Sequence, residues 1–344
     1  ESGDAIEPLR ALAEQVRAAG IRHIRGHIVA DDSYLTGPPH GSGWAWADIQ
    51  WHFGAEVSAL SFNDNLATLQ IIPGAQAGDP CQVVVTPDVG YLEVVNTTMT
   101  TAGGPSKIAV HGALDAARVE VSGTLALGYP GWRGEVAVHD PASYAAAAFR
   151  RALADAGIAV EGATVRVAPD AERPEELQFE RLTEIASIDS LPLSELIKVV
   201  NRHSQNLHAE LVLRLLGHER GSHDLPDDQA GAALVRAFLE RSEVLAPGVR
   251  IDDGSGLSRL DRSTAMTLQG TAVAMSHHPD GVYFFDSLPE GGEDGTLRRR
   301  LGGIMVRAKS GSLATSKSLT GYLTTAAGRR IAFSFVYNGP PGTS

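Results

Sequence analysis

Leu191–Gly217, LPLSELIKVVNRHSQNLHAELVLRLLG, is the stretch whose reading decides the fold. Leu193, Leu196, Ile197 and Val200 recur at helical spacing, and Leu207, Leu211 and Leu215 begin a second apolar stripe. Two helices are expected, with a polar break at His203-Ser204-Gln205-Asn206 between them. Asn201 is the expected end of the first, because Asn tolerates left-handed backbone. In a continuous helix Ser204 and Asn206 would point about 200° apart. In a short extended link, residues i and i+2 share a side. A break here therefore presents a hydroxyl and an amide at one spot, held by two apolar helices. Taken alone, the stretch also reads as a simple polar helix–helix turn.

A second stretch adds weight to the first reading. Val306–Ser312, VRAKSGS, reads as a strand that ends in a lysine, two hydroxyls and a glycine. Behind it Leu319–Thr325 and Arg330–Tyr337, joined by Ala326-Ala327-Gly328-Arg329, read as a hairpin. A Ser-x-Asn break followed by a Lys-Ser/Thr-Gly strand supplies two of the three signatures of serine penicillin-recognising enzymes; the third is Ser-x-x-Lys. Further text points the same way: DGSGLSR at Asp253–Arg259, SLPEGGEDGTLRRR at Ser287–Arg300, and upstream IRGHIVADDSYL and GWAWADIQWHFGAEVSALSFNDN. In this order, the motifs resemble the D-alanyl-D-alanine carboxypeptidase/endopeptidase family of penicillin-binding proteins, the low-molecular-mass class C type. The resemblance runs over nearly the whole chain.

That resemblance implies an α+β fold, a penicillin-binding domain with an antiparallel sheet flanked by helices, interrupted by inserted α/β and β modules. The expected divisions are an inserted α/β module at 1–66, an inserted β-rich module at 67–140 and the penicillin-binding domain at 141–344. The implied activity is that of a serine carboxypeptidase/endopeptidase acting on peptidoglycan stem peptides through an acyl-enzyme, with β-lactams as covalent inhibitors and no cofactor. The implied location is periplasmic, or more generally the extracytoplasmic cell envelope. Ser204 would relay a proton between nucleophile and leaving amine, and Asn206 would bond the acyl-side amide of the substrate. The backbone N–H of Ser312 would form half of the oxyanion hole.

Residue chemistry fits these roles. Lys309 can hold a substrate carboxylate as a point charge. The Ser310 and Ser312 hydroxyls can donate to the same carboxylate. Gly311 lets a peptide approach the backbone closely. Arg307, two residues before Lys309, shares its strand face and is read either as added positive potential or as one half of an ion pair. Gly254-Ser255-Gly256 reads as a tight turn supporting the site.

The nucleophile is missing. No serine has lysine three positions on; the lysines are Lys107, Lys198, Lys309 and Lys317, and Ser194 has Lys198 at the wrong spacing of four. Ser-x-x-Lys works because i and i+3 share a helix face. There is no Gly-x-Ser-x-Gly elbow to replace it. In the resembled family the motif precedes the inserted modules, so the chain reads as an internal piece, lacking the N-terminal part of the penicillin-binding domain and its C-terminal helix. As given it is expected to be inert, and a non-catalytic wall- or partner-binding protein is the alternative. Two departures stand out. Ser310 occupies a position where the family commonly has Thr, losing the methyl that restricts the rotamer. Gln205 stands where many relatives carry Asp.

Composition excludes other classes. A net charge of −12 argues against a nucleic-acid partner, because nothing offsets phosphate repulsion. Cys81 is the sole cysteine, which excludes an internal disulfide and a cysteine-rich metal site; its Gln82–Val85 flank suggests a buried strand residue. The histidines include no His-Glu-x-x-His, and no catalytic metal is expected. No apolar run approaches the roughly 18 residues of a membrane span. The chain begins at Glu1 without a charged and apolar leader, which fits a processed or trimmed chain.

Along the rest of the chain, a helix is expected over Glu7–Gly20 and a strand over Ile21–Ala30. Trp44, Trp46, Trp51 and Phe53 are read as a small aromatic core under a long loop, with a sugar-stacking surface as the alternative. Short β runs follow to about His139, helices return at Ser143–Gly157, and 168–180 reads as an exposed acidic loop. Helices over Asp228–Ser242 and Thr264–Ser276 and a strand over Val282–Phe285 lead to the Lys309 strand. Arg298–Arg300 is read as a solvated helix end or a contact for an anionic wall polymer.

Overall fold

The structure, a computed structural model, describes residues 3–169, 171, 174–178 and 181–339; part of the acidic stretch at 168–180 lies outside them. It divides into two units, one of residues 1–40 and 45–189, the other of 41–44 and 190–344.

In the first unit, helix α1 (Glu7–Ala18) precedes β1 (His23–Ile24) and β2 (Ile28–Asp31), so the expected strand over Ile21–Ala30 is split in two. Then come β3 (Leu66–Ile72), β4 (Gln82–Thr86), β5 (Glu93–Thr101), β6 (Lys107–Gly112), β7 (Arg118–Ala126) and β8 (Trp132–Ala137). They form two sheets, ordered β4-β3-β8 and β5-β7-β6. Alternation builds their core: Leu69 and Ile71 on β3 and Val119, Val121 and Leu125 on β7 are buried. Helix α2 (Pro141–Asp155) starts where the Asp140 carboxylate accepts the Ser143 N–H at 3.2 Å, with proline at its first position. Its buried face is mostly alanine, Ala142, Ala145, Ala148 and Ala152, with Tyr144 bonded to the Leu66 carbonyl at 3.0 Å.

After α2, β9 (Ala159–Val160) pairs parallel with β1 and β10 (Thr164–Val167) pairs parallel with β2. Residues 141–167 therefore belong to the first unit. The sequence suggests a division at 140, and the two compact units part near 189. The physical reason is parallel pairing to strands far upstream, which no local pattern announces. The expected aromatic mini-core does not form as one cluster. Trp51 packs against the core of this unit, Trp46 is 76% exposed, and Trp44 lies with the second unit.

The second unit opens with α3 (Leu193–His203) and α4 (Asn206–Arg220), followed by α5 (Asp227–Arg241), α6 (Ala265–His277) and α7 (Gly281–Ser287). Gly217 and Gly231 let α4 and α5 pack backbone to backbone: a Cβ at Gly217 would lie 2.0 Å from the Asp227 carbonyl, and one at Gly231 would lie 2.1 Å from that of Leu213. The strand expected at Val282–Phe285 is helix α7 instead. Its inward residues, Gly281, Phe284, Phe285 and Leu288, follow helical spacing, while Val282 and Tyr283 face solvent. Phe285 meets Tyr322 with ring centroids 5.5 Å apart, so tertiary packing overrides the β preference of the aromatic run.

Strands β11 (Val306–Ser312), β12 (Ser316–Thr324) and β13 (Arg330–Asn338) form an antiparallel three-stranded sheet. Val306 and Ala308 on β11 pack on Leu297, which is fully buried. The terminal antiparallel sheet and its flanking helices are the α+β arrangement expected of the sequence.

Candidate active site

Helix α3 runs two residues past Asn201 and ends at Ser204, which takes left-handed backbone with φ +58° and ψ +49°. Asn201 stays helical because its side chain is used elsewhere: Nδ2 donates to Ser287 Oγ at 2.7 Å. Gln205 is extended, with φ −79° and ψ 104°, and Asn206 opens α4. The break between the helices is thus one left-handed and one extended residue, and it leaves Ser204 exposed.

Lys309 meets this break from β11. Its Nζ donates to Ser204 Oγ and to the Ser310 carbonyl, each at 2.7 Å. An ammonium has three N–H donors, so a third is left for an incoming anion. Burial lowers the Lys309 pKa from 10.5 to about 8. The amine is still charged at neutral pH, but less firmly than a surface lysine.

Ser310, Gly311 and Ser312 follow on the strand. Ser310 Oγ lies 3.0 Å from Thr296 Oγ1, and Ser312 Oγ accepts from Lys317 Nζ across the β11–β12 register. A Cβ at Gly311 would come within 2.5 Å of Ser318 Oγ, its cross-strand neighbour, so glycine keeps this part of the strand slim. The Ala308 N–H bonds the Pro289 carbonyl on the edge of β11 away from β12. By the two-residue alternation of an antiparallel ladder, the N–H groups of Ser310 and Ser312 face that same edge.

The surroundings lock these parts in place. Arg202 in the last turn of α3 pairs with Asp294 at 3.2 Å and donates to the Asp286 carbonyl at 2.8 Å. Of the two readings of Arg307, the structure shows the ion pair, to Glu290 at 2.5 Å. Arg298–Arg300 are exposed just after a short 3-10 turn, Gly295–Leu297. Behind the Ser204 break, Glu210 is 1% exposed, and its Oε1 accepts the N–H groups of Gly254 and Ser255 at 2.8 and 2.9 Å. Burial, then the Asp253 charge, raise the Glu210 pKa from 4.5 to about 7. Asp253 in turn accepts from Gly256 N–H, Ser258 N–H and Trp44 Nε1 at 2.7–2.8 Å. The Gly254–Gly256 turn therefore braces α4, as the sequence suggested. Among the described residues no group of three His, Cys, Asp or Glu side chains is placed to hold a metal, and no helix is long and apolar enough to cross a membrane.

The sequence reading missed Thr296, Lys317 and Glu210. Lys317 is legible only through strand register. Thr296 sits inside the quoted SLPEGGEDGTLRRR text without a chemical cue of its own. Glu210, one helical turn after Asn206 and one before Arg214, is the signal that was available: a carboxylate and a guanidinium four residues apart among Leu207, Leu211 and Leu215 are charges that need partners where the helix packs.

An α+β unit that brings a Ser-x-Asn helix break against a Lys-Ser-Gly strand defines the serine penicillin-recognising class of fold. The chain belongs to the D-Ala-D-Ala carboxypeptidase 3 (S13) family, whose profile matches residues 4–344. It is 29% identical over 352 residues to a D-alanyl-D-alanine carboxypeptidase of Actinomadura sp. (strain R39), covering 98% of this chain and 64% of that protein. It is 26% identical over 343 residues to the D-alanyl-D-alanine carboxypeptidase DacB of Haemophilus influenzae, covering 96% of this chain and 68% of that protein. The crystal structure of penicillin binding protein 4 (dacB) from Haemophilus influenzae superposes with a TM-score of 0.84 at 23% identity, covering 100% of this chain and 75% of that one. The chain thus spans just under two thirds of the length of the Actinomadura relative.

Proposed function

We propose that the complete protein is a serine-type D-Ala-D-Ala peptidase of the extracytoplasmic cell envelope, cleaving peptidoglycan stem peptides through an acyl-enzyme and covalently blocked by β-lactams. The observation that carries this reading is the 2.7 Å contact between Lys309 Nζ and Ser204 Oγ, made by residues from two motifs far apart in the chain. Family membership supplies the reaction class, and a structure of the Haemophilus influenzae relative, described as complexed with a novel beta-lactam, supports the inhibitor class.

In this reading Lys309, Ser310 and Ser312 receive the C-terminal carboxylate of the substrate. The ammonium supplies charge and the hydroxyls supply direction. Ser204, held by Lys309, passes a proton between nucleophile and leaving amine. Asn206 bonds the acyl-side amide. The Ser312 N–H, on the outer edge of β11, is one donor of the oxyanion hole. The attacking serine belongs to a Ser-x-x-Lys outside residues 1–344, since no serine among them has the partner. We assign 190–344 to the penicillin-binding domain and 1–189 to the modules inserted in it, in place of the division at 140.

Release of D-alanine from a peptide ending in D-Ala-D-Ala tests the reading. The complete protein is expected to release it, and Ser204→Ala to slow release by about a hundredfold or more. A complete protein that binds the peptide without cleaving it would instead support a wall-binding role on the same scaffold.

A further inference from the structure

On the reading that Ser310 receives the substrate carboxylate, its hydroxyl has to point one way, and a serine on a strand does not ensure that by itself. Serine lacks the methyl that restricts χ1 in threonine, so staggered alternatives stay open. The neighbour that removes them is Thr296, whose Oγ1 lies 3.0 Å from Ser310 Oγ.

Thr296 is held firmly enough to do this. It is the middle residue of the short turn Gly295–Leu297. On one side Leu297 is fully buried against Val306 and Ala308 beneath β11. On the other side Gly295, at φ +52°, lies so close to the last turn of α3 that a Cβ there would be 2.4 Å from the Arg202 carbonyl. Asp294 secures the turn twice, pairing with Arg202 at 3.2 Å and accepting the Glu290 N–H at 2.7 Å. The turn therefore spans from the helix that ends at Ser204 to the strand that carries Ser310.

We propose that Thr296 is a positioning residue of the carboxylate site: its hydroxyl holds the Ser310 side chain in one rotamer and leaves the Ser310 proton for the bound anion. Each hydroxyl has one proton and two lone pairs. Without a ligand, Ser310 donates to Thr296. A carboxylate only accepts, so when it binds, Ser310 turns its proton to the carboxylate and Thr296 turns its own to Ser310 Oγ. No proton leaves either oxygen, and the distance between them need not change. The hydrogen bond from Thr296 thus does for Ser310 what the missing methyl would do for a threonine.

The test measures acylation of the complete protein by benzylpenicillin, which carries a carboxylate, and by its methyl ester, which does not. Thr296→Val, nearly isosteric, is expected to lower the second-order rate for benzylpenicillin by about three- to tenfold, the worth of one hydrogen bond. The loss should lie in the concentration dependence rather than the limiting rate, and the methyl ester should be unaffected. Thr296→Ser should behave as the parent. Adding Ser310→Thr to Thr296→Val should restore the rate, because threonine restricts its own rotamer. Equal loss with both β-lactams, no loss with either, or no restoration by Ser310→Thr overturns the positioning role while leaving the peptidase reading intact. A parent protein that takes no acyl group overturns both.

Discussion

Glu210 offers a prediction whose size follows from the structure. Its Oε1 satisfies two backbone N–H groups, while Oε2 is buried and has no hydrogen-bond partner among the described residues. A carboxylate in that position is poorly solvated and faces the Asp253 charge, which is why its pKa rises from 4.5 to about 7. The sign follows directly. Between those values the folded protein keeps a proton that the unfolded chain has lost. The resulting stabilisation is fully present below pH 4.5 and is gone once the pH has risen through about 7. Integrated from pH 5 to pH 8, the loss is about 2.5 kcal/mol.

Glu210→Gln removes the titration but keeps an oxygen for the Gly254 and Ser255 N–H groups. Its buried NH2 costs a constant amount at every pH, so the informative quantity is the slope and not the offset. Urea unfolding of parent and variant at pH 5, 6, 7 and 8 gives the difference in unfolding free energy at each pH. The parent is expected to lose about 2.5 kcal/mol relative to Glu210→Gln over that range. A difference that stays constant with pH, or one that favours the parent as pH rises, would refute the reasoning.

Two further outcomes follow from the same geometry. Because burial brings Lys309 to about 8, β-lactam acylation of the complete protein should decline as the pH rises through that value, whereas Lys309→Arg, slower throughout, should show no such decline because a guanidinium stays charged; identical pH profiles would contradict the assignment. Gly295→Ala places a Cβ 2.4 Å from the Arg202 carbonyl at a residue with φ +52°, and should destabilise the protein by about 2 kcal/mol or more in thermal unfolding, where an unchanged melting temperature would show that the turn moves away freely.

The α+β class and the motifs were legible because their signals are local. Apolar spacing marked the helices on either side of Ser204, and the Lys309 strand and its hairpin were visible from β runs and turn residues. What was not legible depends on partners distant in sequence. Helix α3 continues past Asn201 because that amide is spent on Ser287, and the left-handed residue is Ser204 instead. Val282–Phe285 forms helix α7 because its buried faces are chosen by Tyr322, not by propensity. Residues 141–167 join the first unit through parallel pairing with β1 and β2. The Lys309–Ser204 contact itself joins residues 105 apart; only the resemblance to a known family placed them together beforehand. Thr296 had no such help, since a hydroxyl in a Gly-rich turn carries no signal until the strand beside it is known.

The central claim is that Ser204, Lys309 and Ser310 serve an acylating serine outside residues 1–344. Intact-mass analysis after exposure to benzylpenicillin tests it most directly, using the complete protein and residues 1–344 side by side. The account predicts one covalent adduct on the complete protein, mapped to a serine of a Ser-x-x-Lys motif, and none on residues 1–344. An adduct on residues 1–344 would contradict it by revealing a nucleophile within them, and an unmodified complete protein would contradict the acyl-enzyme itself.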